Sequence, residues 1–206
     1  MLMVRPKLWP GQEDNRRPAR FFSGNDSAPC GKTGPRVGGW IFWGFLAASA
    51  GFARYNGAVA IVIRDFQPED FQTLWRMDQE CFPAGIAYSK QELKAYIRDR
   101  GSFTLVASDQ GDKAAGFIVV HSGPTGHVIT IDVIAAARRS GVGSLLLQAA
   151  EGRLRAAGSR AVSLETAVDN LAALSFYKRH GYSVIRTWPR YYSNGVDALV
   201  MRKELT

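Results

Sequence analysis

The sequence predicts an α/β (α+β) domain in which a mixed sheet of about seven strands is flanked by about four helices. Short apolar runs of strand length alternate with amphipathic stretches of helix length from about residue 59 onward. A strand, a helix and a strand follow one another between residues 128 and 166, which implies a parallel pair with a right-handed crossover. Asn194-Gly195, between the last two strands, is typical of a hairpin turn and adds an antiparallel pair.

The first elements of the domain are a strand and two helices. Apolar and polar residues alternate over 59–64, which predicts a strand. Apolar residues then recur at helical spacing behind a proline, which predicts a helix over 68–81. Ser89 and Glu92 form a capping box, so a second helix begins there and ends near Arg98.

Two more helices and six strands complete the prediction. A helix over 144–157 ends at Gly158, and a shorter one begins at Asp169 or Asn170 and ends before His180-Gly181. Apolar runs of strand length predict the remaining strands, which are 104–108, 115–121, 128–134, 161–166, 182–188 and 196–203.

An N-terminal extension over 1–57 precedes the domain, which we place at 58–206. Residues 1–36 are rich in Pro, Gly and Arg and show no periodicity, so we expect disorder there. The uncharged stretch 37–53 is short for a membrane span, and an Ala-Ser-Ala within it resembles a signal-peptidase site. Our hypothesis is that translation starts near Val59, with a membrane tether as the alternative. We therefore expect no membrane attachment.

Charge and cysteine content exclude several classes of protein. The chain has 206 residues and a net charge of +8, but residues 1–57 hold eight Lys/Arg against three Asp/Glu. The domain itself is therefore only weakly basic, and without an aromatic RNA-binding motif or zinc spacing we expect no nucleic-acid partner. Cys30 and Cys81 lie far apart, and the three histidines lack ligand spacing, so we predict a cytoplasmic protein with free thiols, structural histidines and no metal.

A basic, glycine-bearing turn joins the strand 128–134 to the helix 144–157. Such a turn exposes backbone N–H groups at a helix N-terminus, where they and the helix dipole favour a phosphate or pyrophosphate. Glycine lets the backbone approach the ligand closely. Taken alone, the turn is equally consistent with an ordinary strand-to-helix connection. Its residues are Arg138, Arg139, Ser140, Gly141, Val142 and Gly143.

Three further residues point to chemistry near this turn. Glu165 lies on the strand 161–166 and faces away from its apolar neighbours, and a carboxylate in a central strand is costly without a partner or a task. The alternative is that Glu165 reaches solvent at the strand end. Asn170 and Tyr177 lie two turns apart on one helix face, and for Tyr177 taken alone a core tyrosine with a satisfied hydroxyl is the favoured interpretation.

Together these residues resemble the GNAT acetyltransferase superfamily over roughly 61–205. Arg138-x-x-Gly141-x-Gly143 is similar to the family's acetyl-CoA pyrophosphate loop, and the segment 170–182 is similar to its Asn…Ala…Tyr…Gly-Phe signature, with Tyr182 in place of Phe. The resemblance implies a GNAT-like, mostly antiparallel central sheet. It also implies acetyl-CoA as co-substrate and no metal.

The finer pattern resembles the protein N-terminal acetyltransferases, in particular the bacterial ribosomal-protein-alanine type. Three segments carry it, which are Cys81-Phe82-Pro83 with Tyr88-Ser89, the pair Leu164-Glu165, and 190–198 with Met201. The chain departs from the family where Tyr88 replaces a common tryptophan, which affects the peptide pocket. It departs again where 135–137 is all alanine instead of a proline-bearing turn. The partner implied is a protein or peptide N-terminus, with a ribosomal protein among the candidates.

The resemblance also implies roles for individual residues. Glu165 becomes the base, directly or through a water, and Tyr177 the acid that protonates the leaving thiolate. Tyr88, Tyr191 and Tyr192 are expected to bind the peptide. The expected cofactor-binding residues are Ile131, Asp132, Val133, Arg138, Arg139, Ser140, Gly141, Val142, Gly143, Ser144 and Asn170. Two alternatives stay open, which are a GNAT enzyme acting on a small amine or a lysine side chain, and a non-catalytic acetyl-CoA-binding domain.

Overall fold

A computed structural model describes residues 53–55, 59–82 and 86–206. Within these ranges lie eight strands, four α-helices and two 3-10 turns, at Pro68–Asp70 and Ala135–Ala137. The helices are α1 Phe71–Cys81, α2 Lys90–Arg98, α3 Val142–Ala156 and α4 Leu171–Arg179. The strands are β1 Ala53–Tyr55, β2 Val59–Asp65, β3 Ser102–Ser108, β4 Ala114–His121, β5 Thr125–Val133, β6 Ala161–Ala167, β7 Ser183–Trp188 and β8 Ala198–Glu204.

One mixed sheet runs in the order β1-β2-β3-β4-β5-β6-β8-β7. Every neighbouring pair is antiparallel except β5 and β6, which are parallel and connected through α3. The predicted fold is confirmed, with one more strand than expected. That strand is β1, which pairs with β2 at Ala53↔Ile61 and lies before residue 58, where the prediction began the domain. Three residues are too few to show an alternating pattern in the sequence.

The parallel strands β5 and β6 pair only at their beginnings. Their last paired residues are His127 and Ser163, although β5 continues to Val133 and β6 to Ala167. On its other edge β5 carries a register shift, because Val119 and Val120 of β4 pair with residues 130 and 128 and leave Ile129 as the extra residue. A bulge bends the strand that carries it. The two strands therefore open into a V toward their C-terminal ends.

Helices cover both faces of the sheet and bury two apolar clusters. The first cluster joins α3 and α4 to one face, with Leu146, Leu154 and Phe176 among its members. The second joins α1 and α2 to the other face, with Leu74 and Leu93 at its centre. The V between β5 and β6 thus lies between two packed layers.

Among the helices that the structure describes, none is long and apolar enough to cross a membrane. The uncharged stretch 37–53 overlaps the described residues only at Ala53, and residues 1–52 lie outside them. The expectations for residues 1–52, and with them the predicted translation start near Val59, remain predictions.

Candidate active site

The basic turn forms the entry to α3. The guanidinium Nε of Arg138 donates to the carbonyl oxygen of Val133 at 3.0 Å, and Ser140 Oγ donates to the carbonyl of Ala137 at 2.7 Å. Two residues of the turn adopt positive φ, which are Arg139 at 63° and Gly141 at 92°. These bonds and dihedrals fold the turn back on the end of β5 and aim the start of α3 into the space beside that strand.

The first turn of α3 presents free backbone donors. Its first helical hydrogen bond runs from the N–H of Leu145 to the carbonyl of Gly141 at 3.0 Å. The N–H groups of Val142, Gly143 and Ser144 precede that bond, and no side chain of the N-cap glycine covers them. These three donors have no hydrogen-bond partner among the described residues and lie at the positive end of a helix dipole, an arrangement that favours an anion.

A cleft of about 630 Å³ opens against this turn. It runs between the end of β5, the turn and α4, so the structure brings together two segments that the sequence analysis placed in the cofactor site. The predicted residues that line it are Ile131, Asp132, Val133, Arg138, Arg139, Gly141, Gly143 and Ser144. Ser140 and Val142 support the turn without lining the cleft, and Val142 is fully buried.

Sequence reasoning missed the wall that α4 contributes. Four of its residues line the cleft at the spacing of one helix face, which are Ala172, Ser175, Phe176 and Arg179. The periodicity was present in the sequence, since these positions follow the i, i+3, i+4, i+7 spacing of one helix face. Asn170, predicted to contact the cofactor, is the N-cap of α4, and its side-chain oxygen accepts from the N–H of Ala173 at 3.1 Å.

The N–H of Val133 points into the V. Ile134 donates its N–H to the carbonyl of Ala115 on the β4 side. Along a strand in an antiparallel pair, successive residues direct their N–H and C=O groups to opposite edges. The N–H and C=O of Val133 therefore face away from β4, toward the edge that β6 has left. Its carbonyl is the group that Arg138 binds there.

Tyr177 projects from α4 into the middle of the molecule. Its side chain is fully buried, and its hydroxyl has no hydrogen-bond partner among the described residues. Burial raises the pKa of this phenol well above its ordinary value, and the nearby Asp132 and Tyr192 raise it further. The group is therefore a protonated donor at neutral pH, although Tyr177 is not among the residues that line the cleft.

Glu165 is buried, so the alternative that it reaches solvent is wrong. Only 7% of the residue is exposed, and Oε2 lies 3.1 Å from Nε2 of His127. Nδ1 of the same imidazole lies 3.2 Å from Ser163 Oγ. His127, which the sequence analysis treated as structural, thus belongs to the surroundings of Glu165. Neither residue lines the cleft.

The three tyrosines predicted to bind peptide lie on the α1 and α2 side of the sheet. Tyr88 and Tyr192 are buried members of the second apolar cluster, and Tyr191 packs against it. The ring centroids of Tyr191 and Tyr192 are 5.3 Å apart in an edge-to-face arrangement. The N–H of Tyr88 donates to Asp78 Oδ2 at 2.7 Å, which ties the segment before α2 to α1.

Two further groups line the deep end of the cleft. Asp132 is 1% exposed, and burial together with the charge of Asp78 raises its pKa well above the ordinary value. Cys81 of α1 is also buried, and burial followed by the charge of Asp132 raises the pKa of its thiol to about 11. The thiol is therefore protonated at neutral pH, which agrees with the free cysteine expected from the sequence. Among the described residues no cluster of side chains could hold a metal ion.

Comparison with known proteins places these features in a family. Residues 71–182 match the model of the acetyltransferase (GNAT) family. The chain is 34% identical over 117 residues to N-alpha-acetyltransferase 30 of Schizosaccharomyces pombe, an alignment that covers 54% of this chain and 77% of the relative.

Two solved structures resemble this chain in fold. Ard1 from Thermoplasma volcanium superposes with a TM-score of 0.66 at 27% identity, over 71% of this chain and 98% of that one. The ribosomal-protein-S18-alanine N-acetyltransferase of Escherichia coli superposes with a TM-score of 0.65, over 71% of this chain and 94% of that one. Its 19% identity makes it a likeness of fold alone.

Proposed function

This chain belongs to the GNAT acetyltransferase family, and on that premise we propose that it transfers the acetyl group of acetyl-CoA to the N-terminal α-amine of a protein. Relatives named N-alpha-acetyltransferase in Schizosaccharomyces pombe and Caenorhabditis elegans support this acceptor. The acceptor of the finer proposal is a ribosomal protein with an N-terminal alanine, which the tyrosine-bearing segment 190–198 supports. The reducing cytoplasm is the proposed location, which the free thiol of Cys81 supports.

The observation that carries the proposal is the V between β5 and β6. On the α3 and α4 side it meets the cleft with its anion site. On the α1 and α2 side it meets the cluster that contains Tyr88 and Tyr192. A cofactor on one side and a peptide on the other can therefore meet through the gap, which is the arrangement that a two-substrate transfer requires.

The charge and the lining of the cleft support acetyl-CoA as its ligand. The pyrophosphate would accept from the free N–H groups of the first turn of α3, with Arg138, Arg139 and Arg179 supplying positive charge around it. The pantetheine arm would extend along the open edge of β5, where the backbone groups of Ile131 and Val133 are not used by β4. This path delivers the thioester to the deep end of the cleft.

Two groups suit the transfer of an acyl group, one on Val133, which lines that end, and one on Tyr177, which is fully buried and is not itself a lining residue. The N–H of Val133 would donate to the thioester oxygen and stabilise the negative charge that develops on it. The hydroxyl of Tyr177 would donate its proton to the sulfur as the carbon–sulfur bond breaks. Its raised pKa keeps the phenol protonated until the thiolate forms.

An α-amine is a suitable acceptor for such a site. Its pKa of about 7.7–8.0 leaves roughly 10–20% of it neutral at pH 7, whereas a lysine amine at about 10.4 is neutral in less than about one molecule in a thousand. Modest help from a base is therefore enough. The sequence predicts Glu165 as that base, acting directly or through a water.

The experiment that tests the function is an acetyl-CoA assay with matched peptides. Short peptides that begin with Ala, Ser, Met or Gly are offered with the α-amine free or blocked, and each carries one internal lysine. Mass spectrometry locates the acetyl group. We expect acetylation of the free α-amines alone. Acetylated lysine, or acetylation of polyamines in place of peptides, would favour the small-amine or lysine alternative, and thioester loss without any acetylated product would favour the non-catalytic one.

A further inference from the structure

We propose that Asp132, and not Glu165, is the group that accepts the proton from the attacking amine. The inference rests on the proposed function, because it assigns a role within the same transfer. Asp132 entered the sequence analysis only as a residue beside the cofactor. Its carboxyl group is buried, belongs to a residue that lines the cleft, and has one oxygen without a hydrogen-bond partner among the described residues.

The carboxyl group of Asp132 is buried and half satisfied. Oδ2 accepts from the hydroxyl of Thr130 at 3.1 Å. Oδ1 is buried and has no hydrogen-bond partner among the described residues. An unpaired buried carboxylate oxygen costs free energy that a structural residue would not carry without compensation. Since Asp132 also lines the cleft, a bound substrate is the natural donor to Oδ1.

The register of the sheet places this carboxyl group on the peptide side. Asp132 is directly opposite Phe117 of β4, and directly opposed residues share a face. Phe117 belongs to the cluster of α1 and α2, which also contains Tyr88 and Tyr192. The side chain of Asp132 therefore faces the side from which the peptide would arrive. The N–H of the next residue, Val133, lies in the plane of the sheet and would hold the thioester oxygen.

Glu165 is less well placed for direct proton transfer. Its carboxylate already has a close partner in His127, 3.1 Å away. Tyr177 is the proposed acid. Burial raises its pKa most, and the nearby Asp132 and Tyr192 raise it further. Tyr177 and Asp132 are therefore close enough to interact electrostatically, and since neither Tyr177 Oη nor Asp132 Oδ1 has a hydrogen-bond partner among the described residues, a proton would pass between them through an intervening water.

The groups around Asp132 tune its affinity for protons. Asp78 from α1 raises its pKa beyond the effect of burial, and Thr130 and Arg138 lower it by smaller amounts. Cys81 and Tyr177, the other titratable groups that face it, are neutral because their own pKa values are raised. A carboxyl group whose pKa is raised toward that of an α-amine is a better matched base than an ordinary aspartate.

The protons and bonds of the proposed transfer balance. The neutral amine attacks the thioester carbon, so a carbon–nitrogen bond forms and the carbonyl oxygen becomes negative at the N–H of Val133. The amine proton passes to Oδ1 of Asp132. The carbon–sulfur bond then breaks, the sulfur takes the proton of Tyr177, and the proton held by Asp132 returns to Tyr177 through water. One proton leaves nitrogen and one arrives at sulfur, so no other reactant is needed.

The test compares Asp132→Asn with Glu165→Gln in the full-length chain. For each variant, kcat and KM are measured with a peptide that the wild type acetylates, and the Kd for CoA is measured by calorimetry. We expect Asp132→Asn to lower kcat by about 100-fold or more, the range for a positioned base, with an unchanged Kd for CoA. Glu165→Gln should lose clearly less. A larger loss in Glu165→Gln, or near-normal turnover in Asp132→Asn, would overturn the inference.

A pH profile separates proton transfer from a structural role. In the wild type, kcat should rise with pH as Asp132 ionises. This rising limb of the pH profile should disappear in Asp132→Asn. Thr130→Val removes a hydrogen bond that lowers the pKa of Asp132, so the limb should move to higher pH. If the rising part of the kcat profile of Thr130→Val lay at the same pH as in the wild type, the inference would be contradicted. This measurement tests the inference even if Asp132→Asn does not fold. If the wild type acetylates no peptide at all, the proposed function has failed and not the assignment of Asp132.

Discussion

The imidazole of His180 forms a hydrogen bond with the hydroxyl of Ser144, with 3.0 Å between Nε2 and Oγ. Nδ1 of the same ring lies 2.8 Å from the carbonyl oxygen of Phe176, which can only accept. Nδ1 therefore donates to that carbonyl, and Nε2 shares the second hydrogen bond with Ser144 Oγ. This pair connects the end of α4 to the first turn of α3, which are two walls of the cofactor cleft.

We expect His180→Ala to weaken acetyl-CoA binding without changing the chemistry. A hydrogen bond of this kind contributes about 0.5–1.5 kcal/mol, so the Kd for CoA should rise about 2- to 12-fold at a constant kcat. Calorimetry with CoA measures the change. Ser159→Ala is the matched control, since it removes a hydroxyl that bonds to the carbonyl of Gly123 at 2.7 Å outside the cleft. Equal effects of both variants would contradict the role of the pair.

Tyr177→Phe should lower kcat by about 10²–10⁴-fold, because the thiolate then leaves without its proton donor. The Kd for CoA should stay unchanged, since the ring and its packing remain. The control is Tyr182→Phe, a second buried tyrosine whose ring centroid is 5.6 Å from that of Tyr177. Its hydroxyl donates to Glu151 at 3.0 Å, so this variant should lose stability and keep its turnover. Near-normal turnover in Tyr177→Phe would remove it from the acid role.

Two glycines at the start and the middle of α3 should respond to alanine in opposite ways. Gly141 has a φ of 92°, a conformation that costs an L residue about 1–2 kcal/mol. Gly141→Ala should therefore lower the melting temperature and raise the Kd for CoA. Gly152 lies within α3 with open space around its Cα, so Gly152→Ala should stabilise the fold by about 0.5–1 kcal/mol. Thermal unfolding measures both, and shifts of the same sign would contradict the argument.

The features that the sequence predicted well depend on neighbouring residues alone. The capping box of Ser89 and Glu92 is confirmed, as is the position of Asn170 at the start of α4. The basic turn does precede a helix, because glycine and arginine at those positions satisfy the local geometry. The strands of the central sheet are likewise found within a few residues of their predicted bounds, since their apolar runs reflect burial on both faces.

The features that the sequence could not show depend on pairing between distant segments. The V arises because β5 leaves β6 after His127 and carries a bulge at Ile129, and neither event has a local signal. The same holds for the contact of Glu165 with His127 and for the burial of Asp132 opposite Phe117. Each follows from the register between strands, which no single segment of the sequence reveals.

Cys81 provides a chemical probe of the charge that surrounds Asp132. With a thiol pKa of about 11, only about one molecule in a thousand is a thiolate at pH 8. A free cysteine with a pKa near 8.5 is about one-quarter thiolate at that pH, so alkylation of Cys81 by iodoacetamide should be more than about 100-fold slower. Cys30→Ser provides the background in which this single thiol is followed by mass spectrometry. The rate should rise about tenfold per pH unit up to about pH 10, because the thiolate fraction grows in that proportion.

Asp132→Asn removes a charge that raises the thiol pKa of Cys81, so it should accelerate alkylation at a given pH. Rapid modification that is already constant with pH near neutrality would show a stabilised thiolate and contradict this account of the cleft.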